Sequence, residues 1–207
     1  MDSVLIYKGL SKIYDLLDVL YFRNQKSNPR TALMDYINQK DSMILDICTG
    51  TAANAIAIAK RKRNARIVGI DLSKEMLHIA NKKIKKQGLN NINLYQMDAT
   101  ETKFSDNTFN VVIISLVLHE VPQELADKIL LEAKRILKPD GKLQVLEWEA
   151  PQSLLQRILF YPIRKLEPKG FETFLRMDMK NYFDRYGFVI SETKHCSYTK
   201  VLKLTKV

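Results

Sequence analysis

Hydrophobic and polar positions along the chain follow two periods. Five short apolar runs, Met43–Ile47, Arg66–Ile70, Ile92–Met97, Val111–Leu116 and Lys142–Trp148, read as strands, and those richest in Ile, Leu and Val read as buried on both faces. Between them apolar residues recur at helical spacing. One helix is predicted over 52–62, with Ala53, Ile56, Ala57 and Lys60 along it. A second covers 74–87, capped by Ser73 and stopped by Gly88. A third starts at Pro122 and carries the stripe Leu125, Ile129, Ala133 and Ile136. Asn107–Asn110 and Lys138-Pro139-Asp140-Gly141 read as turns. Strand and helix alternate, which predicts an α/β fold: a doubly wound, mostly parallel sheet with right-handed crossovers.

The two ends depart from this pattern. In residues 3–22, Ile6, Leu10, Ile13, Leu17 and Leu20 keep helical spacing, and Tyr7, Tyr14 and Tyr21 line the edge of the stripe. That helix either packs on the domain or forms a lid whose tyrosines reach a ligand. Asn28-Pro29 breaks the chain, and a second helix is expected over about 30–39. Residues 1–40 are therefore expected to be an N-terminal helical lid, and 41–207 the main domain. Residues 151–170 mix apolar and basic side chains, and Pro162 and Pro168 argue against one long helix there. A helix is expected over Phe174–Tyr186. Phe188–Lys194 and Tyr198–Lys206 alternate as an antiparallel pair closing one edge of a sheet of about seven strands. The segment 149–187 is expected to cap a substrate.

Charge narrows the partners without choosing one. The net charge is +10, and residues 151–207 carry 11 basic against 5 acidic side chains. Such a surface favours nucleic acid, phospholipid head groups or acidic metabolites, or is simply solvated. The two cysteines, Cys48 and Cys196, lack metal-ligand spacing, so no metal is expected. A reduced, cytoplasmic protein is the natural expectation, because there is neither a signal-peptide pattern nor an apolar run of membrane length.

The chemistry concentrates at strand ends. Asp46 lies inside the first strand, Asp71 ends the second and Asp98 follows the third. In an open parallel sheet, ligands bind beyond the carboxyl ends of the strands. Asp71 is then placed to accept from ribose hydroxyls and Asp98 from an exocyclic amine. Asp46 would hold the loop after the first strand or accept from a ligand ammonium. That loop, Cys48-Thr49-Gly50-Thr51-Ala52, has one glycine and no Gly-Lys-Ser/Thr. A phosphate-cradling site is therefore absent. Acids with room for ribose and adenine, but no phosphate site, suit a cationic adenosine compound: S-adenosylmethionine.

The ordered set I-L-D-I-C-T-G-T-A at 44–52, G-I-D-L-S at 69–73, Q-M-D-A at 96–99, F-N-V-V-I-I-S at 109–115 and R-I-L-K-P-D-G-K-L at 135–143 resembles the class I S-adenosylmethionine-dependent methyltransferases. Within them it resembles the branch of ubiquinone/menaquinone C-methyltransferases and phosphatidylethanolamine N-methyltransferases. The resemblance implies a Rossmann-like fold and S-adenosylmethionine as cofactor, leaving S-adenosylhomocysteine. Carried over by position, it implies that Asp46, Cys48 and Gly50 frame the methionine end. Asp71 would hold the ribose, Leu72 and Met76 pack on adenine, and Asp98 and Ala99 meet its amine. Ser115 would lie near the transferred methyl, and Tyr14 would close over the cofactor. Where the family's loop has three glycines at alternating positions, Cys48 and Ala52 take the first and third.

His119, just beyond the fourth strand, is the candidate base, with Glu120 orienting it or acting as a second acid. The acceptor is expected to be small or lipid-like, of quinone or phospholipid type, with peripheral contact to a membrane. Nucleic acid ranks lower, because Ser115-Leu116-Val117-Leu118 stands where amino-methylating enzymes of nucleic acids carry an Asn/Asp-Pro-Pro-aromatic motif. An RNA methyltransferase and a non-catalytic S-adenosylmethionine-binding partner are the alternatives.

Overall fold

The computed structural model describes residues 28–168 and 170–207. The helix expected over 3–22, Tyr14 included, lies outside the described residues. In chain order the elements are α1 (Pro29–Asp35), β1 (Met43–Ile47), α2 (Ala53–Arg61), β2 (Arg66–Asp71), α3 (Lys74–Lys86), β3 (Ile92–Gln96), β4 (Phe109–Ser115), α4 (Gln123–Ile136) and β5 (Leu137–Trp148). They continue with α5 (Leu154–Leu166), α6 (Phe171–Leu175), α7 (Met179–Asp184), β6 (Phe188–Cys196) and β7 (Thr199–Lys206).

One seven-stranded sheet runs β3-β2-β1-β4-β5-β7-β6. β1 to β5 pair in parallel, and β7 pairs antiparallel with β5 and β6. This is the expected doubly wound, Rossmann-like sheet with an antiparallel pair at one edge. Strand order reverses between β1 and β4, so the crevice beyond their carboxyl ends is the natural ligand site.

Side-chain alternation divides the core between the two faces. Leu45, Ile47, Val68, Ile70, Val112, Ile114 and Val145 pack under α4, against Ala126, Ile129, Leu130, Ala133 and Ile136. Ile44, Ile67, Val111 and Ile113 pack on the other face with residues of α1, α2 and α3. Burial on both faces explains why β1 and β4 are almost wholly apolar.

Four local expectations need correction. Leu125 is 41% exposed, and the buried stripe of α4 runs through Ala126, Ile129, Leu130, Ala133 and Ile136 instead. Lys138–Gly141 is not a turn between elements. It is an irregularity within β5, where the register jumps from Phe109↔Leu137 to Val111↔Lys142. Pro162 sits inside α5 without ending it. The carbonyl its ring leaves unpaired belongs to Ile158, a residue 62% exposed, so water can take the missing bond. The helix expected over Phe174–Tyr186 is two short ones, because Asp178 accepts from Lys180 N and Asn181 N and starts a new helix. Trp148, Phe160, Ile163 and Phe171 form a separate apolar cluster that seats this region on the end of β5.

Candidate active site

The loop from β1 to α2 is bent by backbone conformation at alternate residues. Cys48, Gly50 and Ala52 have φ of 52°, 54° and 61°. Glycine reaches this left-handed region freely, whereas an L-residue held there costs about 1–2 kcal/mol. Cys48 and Ala52 therefore adopt a glycine's conformation. The bend holds because side chains on both neighbouring strands grip it. Thr49 Oγ1 donates to Asp46 Oδ2 at 2.5 Å, and Thr49 N donates to Ile70 O at 2.9 Å. Gly50 N donates to Asp71 Oδ2 at 2.8 Å, and Ser73 N donates to Asp71 Oδ1 at 2.9 Å.

Gly69 makes room for this arrangement. It lies opposite Asp46 in the β1–β2 ladder, and a Cβ there would stand 2.9 Å from Thr49 Cγ2 and 2.7 Å from Leu94 Cδ2.

The acids differ in environment. Asp46 is 1% exposed, and burial pushes its carboxyl up to about 6 despite the bonds from Thr49 and the Ala55 backbone. Cys48 is pushed up to about 12 by burial and by the surrounding Asp71, Asp46, Glu120 and Asp98. Asp98 is exposed, and Thr100 N and Oγ1 both donate to its Oδ1, at 2.8 and 2.7 Å, which holds its carboxyl below the usual range. Leu72 and Asp98 are exposed and Asp71 half-buried, whereas Met76 and Ala99 are buried. A methyl group added at Gly50 would meet no atom within 4 Å, so the loop faces open space.

The turn after β4 is held by a buried carboxylate that sequence reading overlooked. Leu116 has a φ of 55°, and the next two amides, Val117 N and Leu118 N, donate to Glu147 Oε1 at 3.2 and 2.9 Å. The other oxygen of Glu147 lies 2.5 Å from His119 Nδ1. His119 Nε2 is 3.2 Å from Glu167 Oε2, and Trp148 Nε1 donates to Glu167 Oε1 at 3.0 Å. Phe171 and Phe174 stand 5.4 and 5.9 Å from the imidazole. Burial alone would lower the His119 pKa, but the Glu147 and Glu167 carboxylates outweigh it and raise it to about 10.

The strand order puts Asp46, Cys48, Gly50, Asp71, Leu72, Asp98, Ala99 and Ser115 at or just beyond the carboxyl ends of β1 to β4, and Met76 in the first turn of α3. His119 is only 7% exposed and both ring nitrogens face carboxylates, whereas Glu120 is on the surface. Thr49, Gly69, Glu147 and Glu167 were not singled out. Glu147 carried the same sign as Asp46, an acid inside an apolar strand.

A model of the methyltransferase domain matches residues 44–141. The demethylmenaquinone methyltransferase of Lactobacillus johnsonii is 36% identical over 157 residues, 75% of this chain and 59% of the relative. That of a Geobacillus species is 31% identical over 215 residues, 94% of this chain and 90% of the relative. The chain spans 59–64% of the length of three relatives that it matches at 34–36% identity. Among solved structures, an S-adenosylmethionine-dependent methyltransferase from Aquifex aeolicus superposes with a TM-score of 0.76 at 19% identity, covering 97% of this chain and 98% of that one. An O-methyltransferase of neocarzinostatin biosynthesis, solved with S-adenosylmethionine and a naphthoic acid, gives 0.75 at 12% identity, covering 99% of this chain and 59% of that one. At such identities the structures speak for the fold alone.

Proposed function

Because the chain belongs to the S-adenosylmethionine-dependent methyltransferase family, we propose that it moves the methyl group of S-adenosylmethionine to a quinone-type acceptor, the reaction for which its demethylmenaquinone methyltransferase relatives are named. The observation that carries this reading is the left-handed loop 48–52, closed on Asp71 through Gly50 N and opening onto space lined by acids.

The residues present fit that cofactor. Each Asp71 oxygen accepts one backbone N–H and keeps a second lone pair for a ribose hydroxyl. Leu72, 64% exposed beside it, offers an apolar face to adenine, with Met76 behind. The Thr100 bonds to Asp98 both fall on Oδ1, which leaves Oδ2 for the adenine amine beside Ala99. Asp46, Cys48 and Gly50 frame the methionine end, and Ser115 borders the transferred methyl. When bound, the cofactor supplies a methyl already activated on a sulfonium. The chain's task is to align the acceptor with it and keep water out. His119 serves here as a positioning group, not a base, because both its nitrogens are engaged by carboxylates and it is shielded from an acceptor.

The acceptor is apolar in this reading. Leu154, Leu155, Ile158, Leu159, Tyr161 and Leu166 of α5 are each more than half exposed, among Arg157, Arg164 and Lys165. A lipid-like quinol or the surface of an anionic bilayer suits such a face. No helix among the described residues is long and apolar enough to cross a membrane.

Two measurements test the proposal. Calorimetry with S-adenosylhomocysteine should show one site, and its absence would overturn the reading. Labelled methyl from S-adenosylmethionine should pass to a reduced prenylated naphthoquinone, and not to phosphatidylethanolamine vesicles or RNA. Binding with no transfer to any of the three would favour the non-catalytic alternative.

A further inference from the structure

α5 rests on the domain by one narrow stripe. Gln156 Nε2 donates to Ser197 O at 3.5 Å, and Phe160 and Ile163 are buried with Trp148 and Phe171. Glu167, just past the helix, accepts from Trp148 Nε1. Positions 156, 160, 163 and 167 share one side of a helix. The opposite side points away from the domain. It carries Leu154, Ile158, Pro162 and Leu166 in a row, each one turn after the last, with Leu155 and Tyr161 beside them, and all six are exposed. At 1.5 Å per residue the row is about 18 Å long.

The charges of this helix are all positive. Arg157, Arg164 and Lys165 are its ionisable cations, and it carries no acid. Arg157 and Arg164, two turns apart, stand together at one flank of the row. Lys165 lies within it, its Nζ 5.6 Å from the centre of the Tyr161 ring. Glu172 pairs with Arg164, whereas no acid among the described residues pairs with Arg157 or Lys165. Two open cavities follow the flank. One of about 360 Å³ is lined by Arg157, Ile158, Tyr161 and Arg164, and one of about 500 Å³ by Arg164, Glu172, Thr173, Arg176 and Met177. Guanidinium groups thus line recesses beside exposed aliphatic side chains.

We propose that α5 docks on the surface of an anionic phospholipid bilayer, its axis in the membrane plane, its apolar row at the boundary of head groups and acyl chains, and Arg157, Lys165 and Arg176 on head-group phosphates. A guanidinium matches the phosphate oxygens with paired N–H groups, and a lysine within the row can extend its stem past the apolar side chains to reach them. Other occupants fit less well. A second copy seated α5 to α5 across a two-fold axis would bring Arg157, Arg164 and Lys165 against their own copies, with no acid on the helix to meet them. A nucleic-acid strand would leave the aliphatic row uncovered, because bases stack on aromatic side chains and Tyr161 is the row's one exposed ring. A small acceptor held inside the domain would leave the outward row exposed too. On the methyl-transfer reading, docking sets the cap against the phase that dissolves an apolar acceptor.

The docking can be tested without cofactor or acceptor, so its failure leaves the methyl-transfer reading standing. The full-length protein is floated with phosphatidylcholine vesicles, with and without phosphatidylglycerol, at low and high salt. Binding should require phosphatidylglycerol and fall at high salt. Leu155→Gln with Ile158→Gln, both at exposed positions that should not disturb folding, should lower partitioning about tenfold or more. Arg157→Gln with Lys165→Gln should lower it roughly 25-fold at low salt, about fivefold for each cation, and much less at high salt. Leu125→Gln with Leu131→Gln, exposed apolar positions on α4, should leave it unchanged. No binding to phosphatidylglycerol vesicles, equal binding to neutral ones, or binding that Leu155→Gln with Ile158→Gln leaves intact overturns the proposal. So does a dimer in sedimentation without vesicles that the same two substitutions dissociate, since a second copy would then cover the row.

Discussion

Replacing Asp46 by asparagine should remove a pH-dependent cost to stability. The carboxyl is pushed up to about 6 in the folded protein, chiefly by burial, from its ordinary value of 3.8. A group whose pKa rises on folding binds more protons in the native state, so stability falls as pH rises from about 4 to about 6. The shift of about two units corresponds to ~3 kcal/mol against folding when the group is fully ionised. Roughly half of that is already present at pH 5 and nearly all by pH 7. The difference between Asp46→Asn and wild type should therefore move by about 1.3 kcal/mol in favour of the variant from pH 5 to pH 7. The absolute difference is less telling, because the amide changes the bonds to Thr49 and the Ala55 backbone by an amount that is the same at every pH. Urea denaturation of both proteins at several pH values between 5 and 8 measures the change. A difference that stays constant with pH would show that Asp46 ionises as it does in the unfolded chain, and would refute the reasoning. The same variant should bind S-adenosylhomocysteine more weakly, because it loosens the Thr49 bond that holds the loop after β1.

Other perturbations follow from the same geometry. Asp71→Ala removes the acceptor for Gly50 N and Ser73 N, and should lower affinity for S-adenosylhomocysteine more than tenfold in calorimetry, whereas Leu125→Ala, on the exposed face of α4, should leave it unchanged. Gly69→Ala drives a methyl into Leu94 and Thr49, and should cost about 1–3 kcal/mol in urea denaturation and weaken cofactor binding as well. Arg135→Met leaves the buried Glu132 carboxylate with Thr102 but without its cation, and should cost roughly 2 kcal/mol or more by the same assay. Cys48, with its thiol at about 12, should react with iodoacetamide far more slowly at pH 8 than a free thiol, and labelling at the free-thiol rate would refute that burial.

Most of the sheet could be read directly because its strands are buried on both faces, and continuous apolar runs leave few alternatives. The acids inside β1 and at the end of β2 could be read for the same reason: a charge in an apolar run is conspicuous. Glu147 was equally conspicuous, yet its role depends on the turn after β4, whose left-handed Leu116 no periodicity announces. Glu167 lies in the least regular part of the chain, and only the fold of α5 against Trp148 brings it to His119. Gly69 passes for an ordinary strand residue until the ladder sets it opposite Asp46 and under Thr49. What local pattern could not supply was contact between distant segments. His119, expected beyond a strand end where an acceptor would approach, is 7% exposed because Glu147 and Glu167 close on its ring, a contact between distant segments that no local pattern announces.

The cost at Asp46 and the strain at Cys48 and Ala52 fall within seven consecutive residues. Ionised burial at about 3 kcal/mol and two left-handed non-glycine residues at about 1 kcal/mol each come to ~5 kcal/mol, close to the whole stability of a marginal domain. Nothing in the fold requires this expense, because an apolar β1 with three glycines after it would build the same sheet. The loop is nonetheless held formed by bonds from Thr49 and Gly50 to acids on two strands. Such a concentration of unfavourable groups, pinned in one place, is what a preorganised binding site requires: the energy of ordering is met before the ligand arrives, and the ligand's own contacts are then free to act on affinity. In that light Cys48 and Ala52 need not weaken the site. They narrow the conformations open to the unoccupied loop compared with glycine, and both already stand in the geometry that glycine would give.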